Sequence, residues 1–252
     1  MRFASLGSGS KGNGTLVEHA GTCLLIDCGF SLRETEQRLA RLGNQGEALS
    51  AILITHEHGD HISGVVALAR KYSLPVWMTP GTWSAKRFGD LPVHFFSSHM
   101  SFAINALQIH PFPVPHDARE PSQFVLTDGA FRLGILTDTG CSTPHIEHML
   151  TACDALLLEC NHDGAMLANG SYSGALKQRV GGDLGHLSNA QAAQILDRVN
   201  HSGLQHVVAA HLSEKNNTPA RVRASLSKVL GCQSDDIVIA DQETGLGWRE
   251  LR

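Results

Sequence analysis

Three histidines and an aspartate, all able to bind a divalent metal ion, fall within six consecutive positions, in the run His56-Glu57-His58-Gly59-Asp60-His61. The run directly follows residues 51–55, an apolar segment with the composition of a buried strand. A loop at the end of a strand is held rigidly enough to position ligands. Four ligands in one turn are more than a single tetrahedral ion takes when distant residues also contribute. The run therefore indicates two metal ions at the end of a strand.

Short apolar runs alternate with amphipathic stretches along all 252 residues, and no repeat, low-complexity segment or long linker separates them. A hydrophobic share of 42% with a charged share of 17% is enough to bury a large core. We therefore expect one domain over residues 1–252. Sheets in the middle with helices outside would make it a four-layer αβ/βα sandwich of the α/β (α+β) class.

Spacing and capping residues predict the individual elements. Strands are expected at 2–6, 15–18 and 23–27 as an antiparallel meander, and then at 51–55, 93–112, 124–127, 131–137, 155–159, 207–210 and 237–240. Helices are expected at 31–43, 62–72, 143–153, 188–199 and 218–230. Ser31 and Ser188 each begin a capping box, while Thr143 and Thr218 are N-caps followed by proline.

Charge and composition exclude several classes of protein. A formal net charge of −4 excludes a global basic field that would hold nucleic acid without specificity. No apolar run approaches the roughly 20 residues that span a membrane, and the N-terminus lacks the apolar core of a secretory signal. The six cysteines contain no C-x-x-C pair, which argues against a zinc ribbon and a disulfide framework. We expect a cytoplasmic protein with no membrane partner.

The H-x-H-x-D-H run, together with Asp27 at the end of a predicted strand, resembles the signature motifs of metallo-β-lactamase-fold hydrolases. The chain is similar in particular to the YycJ/WalJ branch of that superfamily. The similarity lies in the segments Ser8-Gly9-Ser10-Lys11-Gly12-Asn13, Glu159-Cys160-Asn161-His162-Asp163, Gly185-His186-Leu187-Ser188-Asn189 and His211-Leu212-Ser213-Glu214-Lys215-Asn216-Asn217. This resemblance implies the metallo-β-lactamase sandwich and a DNA-processing nuclease, in particular a 5′-to-3′ exonuclease.

Position by position, the resemblance implies three ligands for a first ion, three for a second and one bridging carboxylate: His56, His58 and His116; Asp60, His61 and His211; and Asp138. The local sequence supports this independently, because Asp138 and His211 each follow an apolar run that predicts a strand. The histidine-rich set suits zinc, and the carboxylates of Asp60 and Asp138 also admit manganese or iron.

The resemblance also implies catalytic roles. Two ions bridged by a carboxylate can share an attacking hydroxide and steady a phosphodiester, which makes Asp60 part of the catalytic machinery as well as a ligand. His186 resembles the histidine that RNase Z-like and β-CASP nucleases place beside the scissile phosphate, and Glu159 stands where those enzymes carry its partner. Such a histidine can donate a proton to the departing sugar oxygen. The alternative is that His186 only bonds to the backbone before a helix.

Substrate contacts are the least constrained part of the sequence. The 8–13 loop offers backbone N–H groups, and Ser10, Lys11 and Asn13 could hold a phosphate, although such loops are also common turns. Asn161, His162 and Asn216 would line the cleft by resemblance alone. The chain lacks the inserted domain of β-CASP enzymes and the exosite arm of RNase Z, so DNA would be held by local charges. The candidates are Arg38 and Arg41, Lys86 and Arg87, Lys177 and Arg179, and Arg221 and Arg223.

Three functions remain open at this point. The first is a dinuclear phosphodiesterase acting on DNA, and the second is a small-molecule hydrolase, either a cyclic phosphodiesterase or a glyoxalase II-like thioesterase. The third is a metal-holding protein without catalysis, in which a Glu159–His186 pair would have no purpose. An open basic groove beside the ions would favour DNA, whereas a closed apolar pocket would favour a small ester.

Overall fold

The first sheet of the protein, seen in a computed structural model that describes residues 1–252, has seven strands. They are β1 (Arg2–Gly7), β2 (Gly14–His19), β3 (Thr22–Ile26), β4 (Ala51–Leu53), β5 (Val76–Met78), β6 (Val93–Phe95) and β14 (Leu246–Glu250). Their order is β14-β1-β2-β3-β4-β5-β6, antiparallel as far as β3 and parallel from β3 to β6. The predicted meander at the start of the chain is confirmed.

The second sheet repeats this arrangement with strands from the rest of the chain. It contains β7 (Phe102–Ile104), β8 (Leu107–Pro113), β9 (Ser122–Thr127), β10 (Arg132–Leu136), β11 (Ala155–Glu159), β12 (His206–Ala210) and β13 (Val238–Ile239). The order is β13-β12-β11-β10-β9-β8-β7. The strands from β13 to β10 are parallel, and those from β10 to β7 are antiparallel. Each sheet therefore has one antiparallel half and one parallel half.

Nine α-helices and two 3₁₀ helices connect the strands. They are α1 (Leu32–Arg41), α2 (Gly59–Ile62), α3 (Val65–Tyr72), α4 (Ala85–Phe88), α5 (Pro144–Leu150), α6 (Gly164–Asn169), α7 (Gly174–Gly181), α8 (Asn189–Val199), α9 (Pro219–Leu230) and the 3₁₀ turns Gly46–Ala48 and Ser234–Asp236. The predicted N-caps Ser31, Thr143, Ser188 and Thr218 each accept a hydrogen bond from the first helical turn. None of the helices has both the length and the apolar character needed to cross a membrane.

Three apolar clusters show how the layers pack. The largest combines residues of both sheets, such as Leu24 and Phe124, and fills the space between them. A second cluster joins the outer face of the first sheet to α1 and α3, for example through Leu39 and Leu68. A third joins the outer face of the second sheet to α5, α8 and α9. The predicted four-layer αβ/βα sandwich is confirmed.

The structure departs from the predicted elements in two respects. The helix expected over 62–72 is α3, which begins only after Gly64, and the end of the metal run, expected as a loop, forms the short helix α2. A Cβ atom at this glycine would lie 2.0 Å from the carbonyl oxygen of Phe30, so the backbone can turn there only without a side chain. The pattern also missed β5, β14, α4, α6 and α7. These elements are eight residues long or shorter, and α7 buries none of its residues, so hydrophobic periodicity carried little information about them.

Candidate metal centre

The predicted ligands lie where the carboxyl ends of the parallel strands of both sheets meet. β3 is followed by Asp27, β4 by the 56–61 run, β10 by Asp138 and β12 by His211, while β11 ends in Glu159. Asp27, Asp138 and His211 have left-handed φ angles of 61°, 51° and 56°. Such backbone costs of order 1–3 kcal/mol for a non-glycine residue and is concentrated at functional sites. The chain therefore turns sharply after three strands to direct these side chains toward one point.

The first ligand group consists of His56, His58 and His116. Nε2 of His116 lies 3.2 Å from Nδ1 of His58. One ring nitrogen of each of the three residues lies within 4.8 Å of a ring nitrogen of the other two. His56 is buried, and its Nε2 has no hydrogen-bond partner. The structure thus brings together the three residues expected at the first ion.

The second ligand group consists of Asp60, His61 and His211. Oδ2 of Asp60 lies 3.5 Å from Nε2 of His61 and 3.5 Å from Nε2 of His211. Nε2 of His211 is buried and has no hydrogen-bond partner. The three residues expected at the second ion therefore also converge.

Asp138 lies between the two groups. Its Oδ2 is 3.1 Å from Nε2 of His61 and shares a cluster with His56, while its Oδ1 is 3.3 Å from Nδ1 of His211. Oδ2 of Asp138 is a third buried polar atom at this point without a hydrogen-bond partner. Such atoms are rare in folded proteins and call for a bound partner. Five imidazoles and two carboxylates arranged in this way fit two divalent cations with a shared carboxylate.

Asp27 and Thr55 orient the histidines of both groups. Oδ2 of Asp27 lies 2.8 Å from Nδ1 of His61 and accepts a 2.7 Å hydrogen bond from the Thr55 hydroxyl. The same hydroxyl lies 3.0 Å from Nδ1 of His56, which leaves Nε2 of that ring for a ligand. Partners of this kind fix the orientation of metal-binding rings. Sequence reasoning missed Thr55, although a hydroxyl directly before the ligand run was a usable signal.

Glu159 supports both a ligand and the candidate proton donor. Its Oε1 lies 2.7 Å from Nδ1 of His186 and 3.2 Å from Nδ1 of His211. Its Oε2 accepts hydrogen bonds from the backbone N–H groups of Thr139 and Leu187. Burial acts to lower the pKa of His186, but the carboxylates of Glu159 and Asp138 outweigh it and raise that pKa. The predicted Glu159–His186 pair is present, so His186 does more than bond to the backbone.

A cleft of about 360 Å³ opens beside the ligands and is lined mainly by polar residues. Of the predicted substrate contacts, Ser10 and Asn161 line it. Asn13, His162 and Asn216 are buried and do not line it; the Asn13 amide lies 3.1 Å from Nε2 of His61. Lys11 also lies outside the lining, and its Nζ pairs with Glu214 at 2.6 Å. The 8–13 loop therefore meets the cleft through Ser10.

The predicted basic residues also differ in whether they line the cleft. Only Arg179 lines the cleft, where its Nε donates to Asp117 at 2.6 Å. Arg38 is buried and donates to backbone carbonyl groups, and Arg221 pairs with Asp163. The sequence reasoning did not anticipate several other lining residues: Asp117, Tyr172, Leu176, Val180 and Ser213. Three of them are apolar and spaced by four, a periodicity that was visible in the sequence.

Comparison with known proteins agrees with this geometry. A family described as "Beta-lactamase superfamily domain" matches residues 22–212. The exodeoxyribonuclease YycJ of Bacillus anthracis is 35% identical over 235 residues, which cover 91% of this chain and 89% of that protein. The exodeoxyribonuclease WalJ of Streptococcus pneumoniae serotype 2 is 38% identical over 226 residues, covering 86% and 83%.

A solved structure supports the fold alone. The crystal structure of the metallo-β-lactamase fold protein YhfI from Bacillus subtilis superimposes with a TM-score of 0.76 at 18% identity, and the match covers 98% of both chains. The superfamily implies binding of divalent metal, and the convergent ligands of this chain fit that role. The chain therefore belongs to the metallo-β-lactamase superfamily of hydrolases and, within it, to the family of YycJ and WalJ.

Proposed function

We propose that this protein is a dinuclear metal-dependent phosphodiesterase that degrades DNA as a 5′-to-3′ exonuclease. The names of its relatives YycJ and WalJ motivate the substrate. The observation that carries the proposal is His186, which lines the cleft while its Nδ1 lies 2.7 Å from Oε1 of the buried Glu159. A sugar alkoxide needs a proton in order to leave, whereas a thiolate, with a parent pKa near ~8.5, leaves more readily without one. The pair thus suits a phosphodiester better than a thioester.

The two ligand groups would each hold one ion, with Asp138 shared between them. The histidine-rich donor set suits zinc, and the carboxylates of Asp60 and Asp138 also admit manganese or iron. When bound, a pair of ions of this kind supplies an activated water and neutralises charge on the phosphate.

The remaining chemistry belongs to the side chains of the protein. Glu159 accepts the Nδ1 proton of His186, so the opposite ring nitrogen, Nε2, is left for the cleft. The Glu159 carboxylate beside Nδ1 favours the protonated ring, which can pass its Nε2 proton to the departing oxygen. Glu159 holds the His186 ring in both its protonated and its neutral form, and solvent then returns the proton to the ring.

A cyclic phosphodiesterase is the second candidate, because a cleft of about 360 Å³ would also admit a cyclic nucleotide. Its leaving group is an alkoxide too, so His186 does not distinguish the two substrates. Direct comparison of substrates separates these functions.

The test is digestion of duplex DNA labelled at the 5′ or the 3′ end by purified protein loaded with zinc or manganese. A cyclic nucleotide, bis-p-nitrophenyl phosphate and a glutathione thioester serve as parallel substrates. We expect mononucleotides to be released from the 5′ end. Rapid hydrolysis of the thioester or the cyclic nucleotide without DNA digestion under either metal would overturn the proposal.

The His186→Ala variant tests the proton donor. We expect it to keep both ions and to lose about 10²–10⁴-fold in DNA turnover, the usual contribution of general acid catalysis. Hydrolysis of bis-p-nitrophenyl phosphate should fall much less, because p-nitrophenolate is a stable leaving anion. His148→Ala, at an exposed histidine on α5, is the matched control. Equal losses on both phosphate esters would contradict the role given to His186.

A further inference from the structure

All three apolar side chains that line the metal cleft come from one segment of the chain, at Tyr172, Leu176 and Val180. Leu176 and Val180 lie one turn apart on the same face of α7, and Tyr172, just before the N-cap Ser173, lines the same cleft. A surface helix normally turns its apolar face to the core, but α7 buries none of its residues. The apolar face of α7 is therefore directed at the cleft, and the core does not explain it.

Polar contacts hold α7 in this position. Nζ of Lys177 donates to the carbonyl of Ala168 at 2.7 Å, and Nε of Arg179 donates to Asp117 at 2.6 Å. At the end of the helix, the Val180 carbonyl accepts a 2.8 Å hydrogen bond from the backbone N–H of His186. The apolar face is therefore tied directly to the candidate proton donor, and a ligand that contacts one is held close to the other.

The rest of the cleft lining consists of metal ligands and polar groups such as Ser10 and Asn161. A ligand that contacts both parts of the lining needs an anionic part for the cations that the ligands would hold and a flat apolar part for the residues of α7 and Tyr172. A nucleotide has both in its phosphate and its base. Tyr172 offers an aromatic ring for the base, and Nζ of Lys215 lies 5.7 Å from the centre of that ring, close enough to help hold it.

The size of the cleft limits the form of the substrate. A volume of about 360 Å³ lies near the lower end of the ~300–1,000 Å³ that is usual for ligand sites. That volume corresponds to about one nucleotide, and the metal ligands line it. A nucleotide from a duplex end must therefore leave its partner before its phosphodiester reaches the ligands, and a new stacking partner offsets part of that cost.

We propose that Tyr172, with Leu176 and Val180 beside it, stacks on the base of the terminal nucleotide, which enters the cleft unpaired. This inference rests on the proposed nuclease function and specifies how that substrate is bound. Every base has a π face, so the site accepts all four bases with little sequence preference. Frayed and single-stranded ends are digested faster than stable blunt ends.

The test compares DNA whose terminal nucleotide, at the end where digestion starts, carries a base with DNA in which an abasic tetrahydrofuran replaces it. For the unmodified protein, kcat/KM for release of the normal nucleotide should exceed that for the abasic one by about 5- to 150-fold, the usual range for base–aromatic stacking. Tyr172→Ala should remove this preference and slow only the normal end. Tyr172→Phe should preserve the preference, because it keeps the ring.

Leu184→Ala is the matched control, since Leu184 is 56% exposed in the same segment and does not line the cleft. Metal content and circular dichroism establish that the variants are folded and loaded. Release of normal and abasic nucleotides at equal rates, or a preference that survives in Tyr172→Ala, would overturn the stacking site while DNA digestion still supports the nuclease function. Failure to digest either DNA, with bis-p-nitrophenyl phosphate still hydrolysed, would overturn both proposals.

Discussion

The two ligand groups of the metal centre have different partners behind them. In the second group, buried carboxylates orient the rings: Asp27 lies 2.8 Å from Nδ1 of His61, and Glu159 lies 3.2 Å from Nδ1 of His211. In the first group the atoms next to Nδ1 of His56 and His116 are neutral, and the Asp117 carboxylate lies 3.9 Å from Nε2 of His58. The Thr55 hydroxyl lies 3.0 Å from Nδ1 of His56, and the Gly185 carbonyl accepts from Nδ1 of His116 at 3.0 Å.

The difference has a chemical consequence. A carboxylate behind a histidine fixes the ring and raises its basicity, whereas a hydroxyl or carbonyl mainly fixes the ring. The second group therefore depends on charges that one substitution can remove. The first group depends more on the path of the backbone, for instance at Gly185. Because Glu159 also bonds to His186, the second group is coupled to the proposed proton donor as well.

The largest effect is expected where the two groups meet, at Asp138. Asp138→Asn keeps the shape of the side chain but removes the charge that both groups share, so both ions should bind poorly. We expect metal content to fall well below two ions per chain and turnover to fall by more than ~100-fold, beyond what loss of an outer partner costs. Elemental analysis and hydrolysis of bis-p-nitrophenyl phosphate measure this. Two retained ions would show that Asp138 does not bridge.

Ligand substitutions should separate the groups. His58→Ala should empty mainly the first site and His61→Ala mainly the second, so each variant should retain about one ion, because each site would lose one of its three unshared ligands. Substitution by cobalt would show the difference, since the donor atoms around the remaining ion differ between the two variants. Identical cobalt absorption spectra in both variants would contradict the division into two groups.

A smaller and more selective effect is expected from Asp27→Asn. The amide cannot raise the basicity of His61 as the carboxylate does, so affinity at the second site should fall by about 10–100-fold, while the first site, which is linked to Asp27 through Thr55, should weaken less. Metal titration by calorimetry resolves the two sites. Asp128→Asn is a suitable control, because the side chain of Asp128 is also only 3% exposed but pairs with the N-terminus, away from the ligands. Equal weakening of both sites would remove the distinction between charged and neutral partners.

The amino-acid sequence by itself determined the features that depend on neighbouring residues. The capping boxes at Ser31 and Ser188 and the strand before the 56–61 run each involve residues a few positions apart, so their patterns are legible locally. The clustering of ligands in that run indicated a metal site for the same reason. The positions of Asp138 and His211 after apolar runs that predict strands were also visible in the sequence. Their assignment to particular ions came from family resemblance.

Only the tertiary structure decided which distant residues meet. The 56–61 run follows β4 in the first sheet, whereas Asp138 and His211 follow β10 and β12 in the second, and the packing of two sheets leaves no local pattern. The hydrogen bond from Thr55 to Asp27 depends on the parallel pairing of β3 with β4, and the ion pair of Lys11 with Glu214 joins residues that are far apart in the sequence. The apolar spacing of Tyr172, Leu176 and Val180 is readable in the sequence. Only long-range contacts decide that these side chains line the metal cleft and do not pack in the core. Periodicity identifies apolar positions on one side of a segment but not what that side contacts.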